Sequence, residues 1–183
     1  MGQFLLAVER GCASLGRAAA WTVPLLVISV CVGILLVQLR ANVLFEWGSP
    51  ALPLFGTGLT AGGLNDLQWH LFAVMVMLGG AYTLHENGHV CVDFISSRFS
   101  PRGRLVMTLL GDLFLLLPFV AVMTWFSWEY VQAAYASGEG SSYGGLNQRW
   151  IIKLVMPLGF GLLLVFGVAR ALRTALALLG SKG

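Results

Sequence analysis

Charge is scarce in this sequence. Among 183 residues there are 11 lysines and arginines and 8 aspartates and glutamates, 10% of the chain. A soluble domain carries about a quarter. With 57% hydrophobic residues and a mean hydropathy of +0.81, the chain lacks the polar surface that a water-soluble fold needs. An all-α integral membrane protein follows. The net charge of +3 is small and its basic residues stand at segment ends. That distribution suits lipid headgroups and topology signals, and it argues against nucleic acid as a partner.

Other absences narrow the chemistry. The three cysteines, Cys12, Cys31 and Cys91, lie far apart and form no CxxC pair. Paired-cysteine oxidoreductases and a disulfide framework are thereby excluded, and the thiols read as packing residues. All three histidines fall on one predicted helix or just after it. A haem-binding four-helix cytochrome needs them on facing helices at one depth. The first long apolar run holds no acidic residue, whereas small four-helix multidrug exporters place their proton-carrying carboxylate there.

Four apolar runs remain, and each is long enough to cross a membrane. They are predicted as helices at Ala18 to Leu39, Leu67 to Leu84, Leu105 to Tyr130 and Trp150 to Leu172. The first is longer than a signal-peptide core of about 7–15 residues, and no small-x-small site closes it, so it reads as a retained span. Pro24 and Pro118 are expected to bend the first and third spans. Ahead of the first span, Phe4, Val8, Cys12 and Leu15 recur at helical spacing, with Glu9 and Arg10 off the stripe. This predicts a short interfacial helix with Phe4, Val8, Cys12 and Leu15 on its apolar face. Gly79, Gly80 and Ala81 offer the second span a close-approach face.

Two connections lie between spans on one side. Ala41 to Asp66 is rich in proline and glycine, so a regular helix throughout is not expected, yet it is apolar for a loop. Ala133 to Arg149 is rich in glycine and serine. On the other side, Leu84 to Arg104 carries His85, Glu86, His89, Asp93, Arg98, Arg102 and Arg104. Placing both termini in the cytoplasm gathers Arg10, Arg17, Arg98, Arg102, Arg104, Arg170, Arg173 and Lys182 inside. Only Arg40, Arg149 and Lys153 are then outside, as the positive-inside rule requires.

Three constellations could carry chemistry. His85-Glu86-Asn87-Gly88-His89 matches HExxH, in which two histidines one helical turn apart bind zinc and the glutamate activates water. Gly88 weakens the helix this needs, and no third ligand stands in a known pattern. His85, Glu86 and His89 are thus weak metal candidates, with no metal expected. Asp112 is the one carboxylate deep in a span, where it could couple protons. A structural pairing is favoured over that role, with Arg170, at similar depth on the fourth span, or with a polar group on another subunit. Glu129, Arg40 and Lys153 fall at one outer level, either as a charged cluster or as separate snorkelling side chains.

Taken together, the order of short motifs resembles a known family. Leu67-Gln68-Trp69-His70-Leu71-Phe72 opens the second span. Gly88-His89-Val90, Val92-Asp93 and Ser100-Pro101-Arg102 follow it. Gly138-Glu139 with Ser141 and Ser142, Trp150-x-x-Lys153 and Pro157-x-Gly159-Phe160 come later. This set resembles the small membrane subunit, DctQ-type, of tripartite ATP-independent periplasmic (TRAP) transporters, from Arg40 to Gly167. Two departures stand out. Gln148 and Arg149 precede Trp150 where the family commonly has proline, and Gly48 to Gly63 resembles an insertion.

The resemblance implies a non-catalytic inner-membrane subunit of a bacterial secondary importer. Its expected partners are the large membrane subunit (M), a periplasmic substrate-binding protein (P) and membrane lipids. Sodium and substrate are expected on the large subunit, with no cofactor on this chain. Candidate interface residues are Arg40, Glu46, Asp66, Glu129, Glu139, Arg149, Trp150 and Lys153 outside. Inside they are His89, Asp93, Arg98, Arg102 and Arg104, with Asp112 and Arg170 within the membrane. The alternatives are an intramembrane zinc peptidase using the HENGH sequence and a self-sufficient small transporter.

Overall fold

A computed structural model describes residues 2–49, 52, 54–86, 88, 99–141 and 145–180. Helices α1 (Gly2–Ala19) and α2 (Thr22–Gln38) are followed by a hairpin of β1 (Val43–Glu46) and β2 (Gly58–Thr60). Then come α3 (Ala61–His85), α4 (Pro101–Gly111), a π-helical turn (Asp112–Leu116) and α5 (Leu117–Ser137). A single turn, α6 (Trp150–Lys153), leads into α7 (Val155–Gly180). Four helical stretches are long and apolar enough to span a membrane: Gly2–Gln38, Ala61–His85, Pro101–Ser137 and Trp150–Gly180. The end where α2 meets the hairpin is called here the hairpin side, and the opposite end the terminal side.

The helices start and stop where caps permit, not where hydropathy falls. α3 begins at Ala61, ahead of the expected Leu67, because the extended Thr60 caps it: Thr60 Oγ1 accepts the Gly63 N–H at 3.0 Å. α4 starts at Pro101, where a missing N–H costs nothing, and Ser100 Oγ accepts the Gly103 N–H at 3.2 Å. α5 runs on to Ser137 until Gly138, at φ 61°, closes it in the left-handed region. Pro24 falls in the first turn of α2, just after the break between α1 and α2, so it bends nothing inside the span.

The connection from Val43 to Thr60 is an antiparallel hairpin, in which Val43 pairs with Thr60 and Glu46 with Gly58. Trp47 holds its loop: the indole N–H donates to the Gly56 carbonyl at 3.0 Å, and the ring stands edge-on to Phe55 at 6.4 Å. The spacing of proline and glycine hides this strand pairing in the sequence, because the two strands are short and far apart along the chain.

The spanning helices form an open layer. α2 packs on α3, α3 on α7 and α7 on α5, whereas α2 makes no comparable contact with α5 or α7, nor α3 with α5. Helix α1 lies across α3 and α7 on the terminal side. Small residues on the flanking helices allow this. A Cβ on Gly16 would meet the Leu78 carbonyl oxygen at 2.7 Å, and one on Gly159 the Met77 carbonyl oxygen at 2.6 Å. The backbone of α3 is therefore gripped from both sides. Of the three small residues expected to make the close approach, Ala81 is buried and Gly80 touches Leu163, but Gly79 faces open space. Cys12, Ala81 and Phe166 form the core where α1, α3 and α7 meet.

The buried face of α1 differs from the expected stripe. Leu5, Glu9, Cys12, Ala13, Gly16 and Ala19 are buried, while Phe4 and Leu15 are exposed. Two forces turn the helix: Ala13 and Gly16 let it approach α3 closely, and Glu9 answers a cation on α7. In the third span, a π turn accommodates Pro118. The Leu117 N–H donates to the Asp112 carbonyl, five residues back, and the wider turn gives the proline ring room.

The tight α3–α7 contact makes a direct prediction. Gly159→Ala should lower the thermal midpoint of the detergent-solubilised chain, since forced overpacking costs about 1–3 kcal/mol. Gly161→Ala, whose Cβ meets nothing within 4 Å, should leave the midpoint unchanged.

Candidate functional site

The polar residues gather in two belts, one on each side of the layer, joined by almost nothing between. On the terminal side, Asp112 is 2% exposed, at the first residue of the π turn. Its Oδ2 accepts from Arg170 Nε at 2.9 Å and its Oδ1 from Arg170 Nη2, a two-pronged fork. Arg170 also lies over the Phe166 ring at 5.8 Å. One turn along α7, Arg173 makes a second fork to Glu9 of α1, at 2.8 and 3.1 Å. Glu9 is 3% exposed, so this pair fixes α1 on α7. Sequence reasoning set Glu9 outward. The missed signal is that Arg170 and Arg173 stand three apart on one helix and so share a face from which both can meet acids on neighbouring elements.

His85 and Glu86 stand at the end of α3. α3 closes at His85: the Glu86 N–H donates to the Tyr82 carbonyl and the Gly88 N–H to the Thr83 carbonyl at 2.8 Å. The continuous helix that HExxH requires is interrupted. Glu86 stands 3.8 Å from Arg17, and His85 packs edge-on to Phe166 at 6.3 Å. Among the described residues no three histidine, cysteine or acidic side chains converge as metal ligands would. His89, Asp93 and Arg98 lie outside the described residues. Arg102 and Arg104 are exposed in the first turn of α4.

On the hairpin side, Asp66 ties the two long connections together. Its Oδ2 accepts the Leu146 N–H at 3.1 Å and its Oδ1 lies 3.6 Å from Arg149 Nη2. The Asn147 N–H donates to the Leu54 carbonyl at 2.9 Å, so the hairpin loop rests on the second connection. The Arg149 N–H donates to the Glu139 carbonyl at 3.0 Å, and Lys153 Nζ donates to Glu139 Oε2. Lys153 also sits 3.9 Å from the centre of the Tyr130 ring, and Trp150 packs edge-on to Tyr135 at 5.3 Å. His70 Nδ1 is 2.6 Å from the Asp66 carbonyl, which can only accept, so Nδ1 carries the hydrogen.

The alternative of one cluster from Glu129, Arg40 and Lys153 is not realised. Glu129 accepts from the Trp125 indole at 2.9 Å, Lys153 turns to Glu139, and Arg40 is exposed at φ 52° where α2 ends. The reason is reach: Glu139 and Tyr130 offer Lys153 a nearer acceptor and ring. Glu46 is exposed on β1.

Between the belts, a polar link joins two neighbouring spans. Gln68 Nε2 donates to the Ser29 carbonyl at 3.1 Å, joining α3 to α2. A cavity of about 380 Å³ beside it is lined by Gly33, Gln38, Asn65 and Gln68. A second, of about 320 Å³, lies under the hairpin-side belt between Asp66, His70, Tyr130, Arg149 and Lys153. Asp66 is paired there with Arg149, and Lys153 with Glu139, while the buried His70 Nε2 has no hydrogen-bond partner among the described residues.

A mutant cycle tests the deep pair. Asp112→Leu alone strands Arg170 and should cost about 3–5 kcal/mol, while Asp112→Leu with Arg170→Leu should recover most of that loss, because an apolar pair of similar volume replaces the ions. Thermal unfolding in mild detergent reads the difference.

Comparison with known proteins fits these observations. The sequence profile of tripartite ATP-independent periplasmic transporters, DctQ component, matches residues 53–177. A relative from Pseudomonas aeruginosa, the C4-dicarboxylate TRAP transporter small permease protein DctQ, is 29% identical over 133 residues. The match covers 67% of this chain and 61% of the relative, so the chain spans less than two thirds of the relative's length. No solved structure matches the chain. With four membrane-spanning stretches, two polar belts and a profile match across most of its length, the chain belongs to the DctQ component family of tripartite ATP-independent periplasmic transporters.

Proposed function

We propose that this chain is the small, non-catalytic membrane subunit of a TRAP-type secondary transporter, and that it braces the large transport subunit. One observation carries this role: the spans form an open layer whose deep charges are paired within the chain. A transport pathway needs polar groups free to change partners, and a transporter's binding site is commonly built from broken helices in matched repeats. An open layer instead offers two broad apolar faces, and α2 and α5 carry many exposed large side chains. In lipid, such faces associate with other helices through close packing.

The remaining assignments follow from this role. The large subunit would hold the substrate, a small organic solute, and the coupling ion, sodium. A periplasmic binding protein would deliver the solute to the hairpin side. Arg10, Arg17, Arg102, Arg104, Arg170 and Arg173 stand toward the terminal side, and Arg40, Arg149 and Lys153 toward the hairpin side. The positive-inside rule then puts both termini in the cytoplasm of a bacterial cell and the hairpin in the periplasm. Helix α1, with Phe4 and Leu15 turned outward, would lie along the cytoplasmic boundary of the inner membrane.

Co-purification tests the role. Expressed with the large subunit of its own transporter, this chain should elute with it at a constant ratio in mild detergent. Elution of this chain alone would count against the brace, and solute uptake by proteoliposomes holding this chain alone would replace it with a self-sufficient transporter.

A further inference from the structure

The hairpin between α2 and α3 carries an apolar surface that no described element of the chain covers. Every residue of β1 is exposed, and Phe45, at 64%, is the most exposed large side chain on it. Nor is the hairpin loosely attached. The Ala61 N–H donates to the Asn42 carbonyl at 2.8 Å, Val43 pairs with Thr60, and Trp47 and Leu54 are held as described above.

The hairpin follows α2, which ends a stretch long and apolar enough to span a membrane; Val37 and Leu39, near that end, are 72% and 75% exposed. Phe45 is six residues further along the chain, at most about 20 Å of extended backbone. The pairing of Val43 with Thr60, the cap of α3, pins the strand to the mouth of the two helices. Exposed Arg40 and Asn42 separate the apolar end of α2 from β1, whose apolar residues are exposed in turn. Glu46 is the single charged residue between Arg40 and Asp66. An interface for a soluble protein has a polar, solvent-accessible rim. A segment with aromatic residues and one charge at a span's end has the composition of a membrane boundary.

We propose that the β1–β2 hairpin is an interfacial foot: Phe45, with Val43 beside it, enters the boundary between headgroups and acyl chains, and the lipid surface is its partner. The foot would fix the tilt of α2 and α3 from their hairpin end. This rests on the membrane spans and not on the bracing role, so the two fail separately.

Spin labelling of the full chain tests it, in nanodiscs of phosphatidylethanolamine and phosphatidylglycerol. The label is placed by Phe45→Cys in a background with Cys12→Ala, Cys31→Ala and Cys91→Ala. Oxygen should collide with it more often than a water-soluble nickel chelate, as at Leu35→Cys on the exposed side of α2, and the label should lie about 5–10 Å into the boundary. Nickel collisions as frequent as those of oxygen would overturn the proposal, and so would protection from both, which marks cover by protein. A second measurement needs no substitution. Phosphatidylethanolamine with a diazirine high in its acyl chain should mark peptides holding Val43 to Trp47 together with α2. Marks on α2 with none on the hairpin would overturn the foot.

Discussion

A carboxylate inside the hydrocarbon has to be answered from within the protein, because no water is there to solvate it. Asp112 meets that constraint with Arg170, and much of the structure is arranged so that it can. The π turn begins at Asp112, under the influence of Pro118, and α7 supplies the guanidinium in a two-pronged contact. Arg173 then holds Glu9, which brings α1 across α3 and α7. Removing one member of such a pair is costly, although the pair itself adds little net stability over an apolar one. Its contribution is to specify which helices meet and at what height.

Van der Waals contact supplies the cohesion that the ion pairs direct. Lipid chains are as apolar as leucine, so helices associate where their backbones come close. Gly16 and Gly159 achieve this on either side of α3. The product is a layer, not a closed bundle, with ion pairs near its ends and few polar groups between. Such a body presents wide apolar faces to its surroundings. That is the physical sense of the proposed brace.

Parts of this were legible in the sequence. The four spans follow from hydropathy, and the Asp112–Arg170 contact follows from two opposite charges at one depth on neighbouring spans. The helix ends were less legible, since caps such as Thr60 and Ser100 extend helices beyond the apolar runs. The face of α1 was misread because periodicity counts apolar residues, whereas Glu9 is buried for its charge and Gly16 for its lack of a side chain. The hairpin was hidden because pairing between Val43 and Thr60 leaves no local pattern. The HENGH sequence matches a motif in letters, but Gly88 weakens the helix the motif needs, and α3 ends at His85.

The central claim is that the charges within the membrane hold this chain together and take no part in moving ions or solute. Uptake by the assembled transporter carrying Asp112→Leu with Arg170→Leu tests it most directly, with assembly confirmed by co-elution of the subunits. Uptake and ion coupling close to those of the unaltered complex are predicted. A fully assembled complex that no longer couples uptake to its ion would contradict the claim.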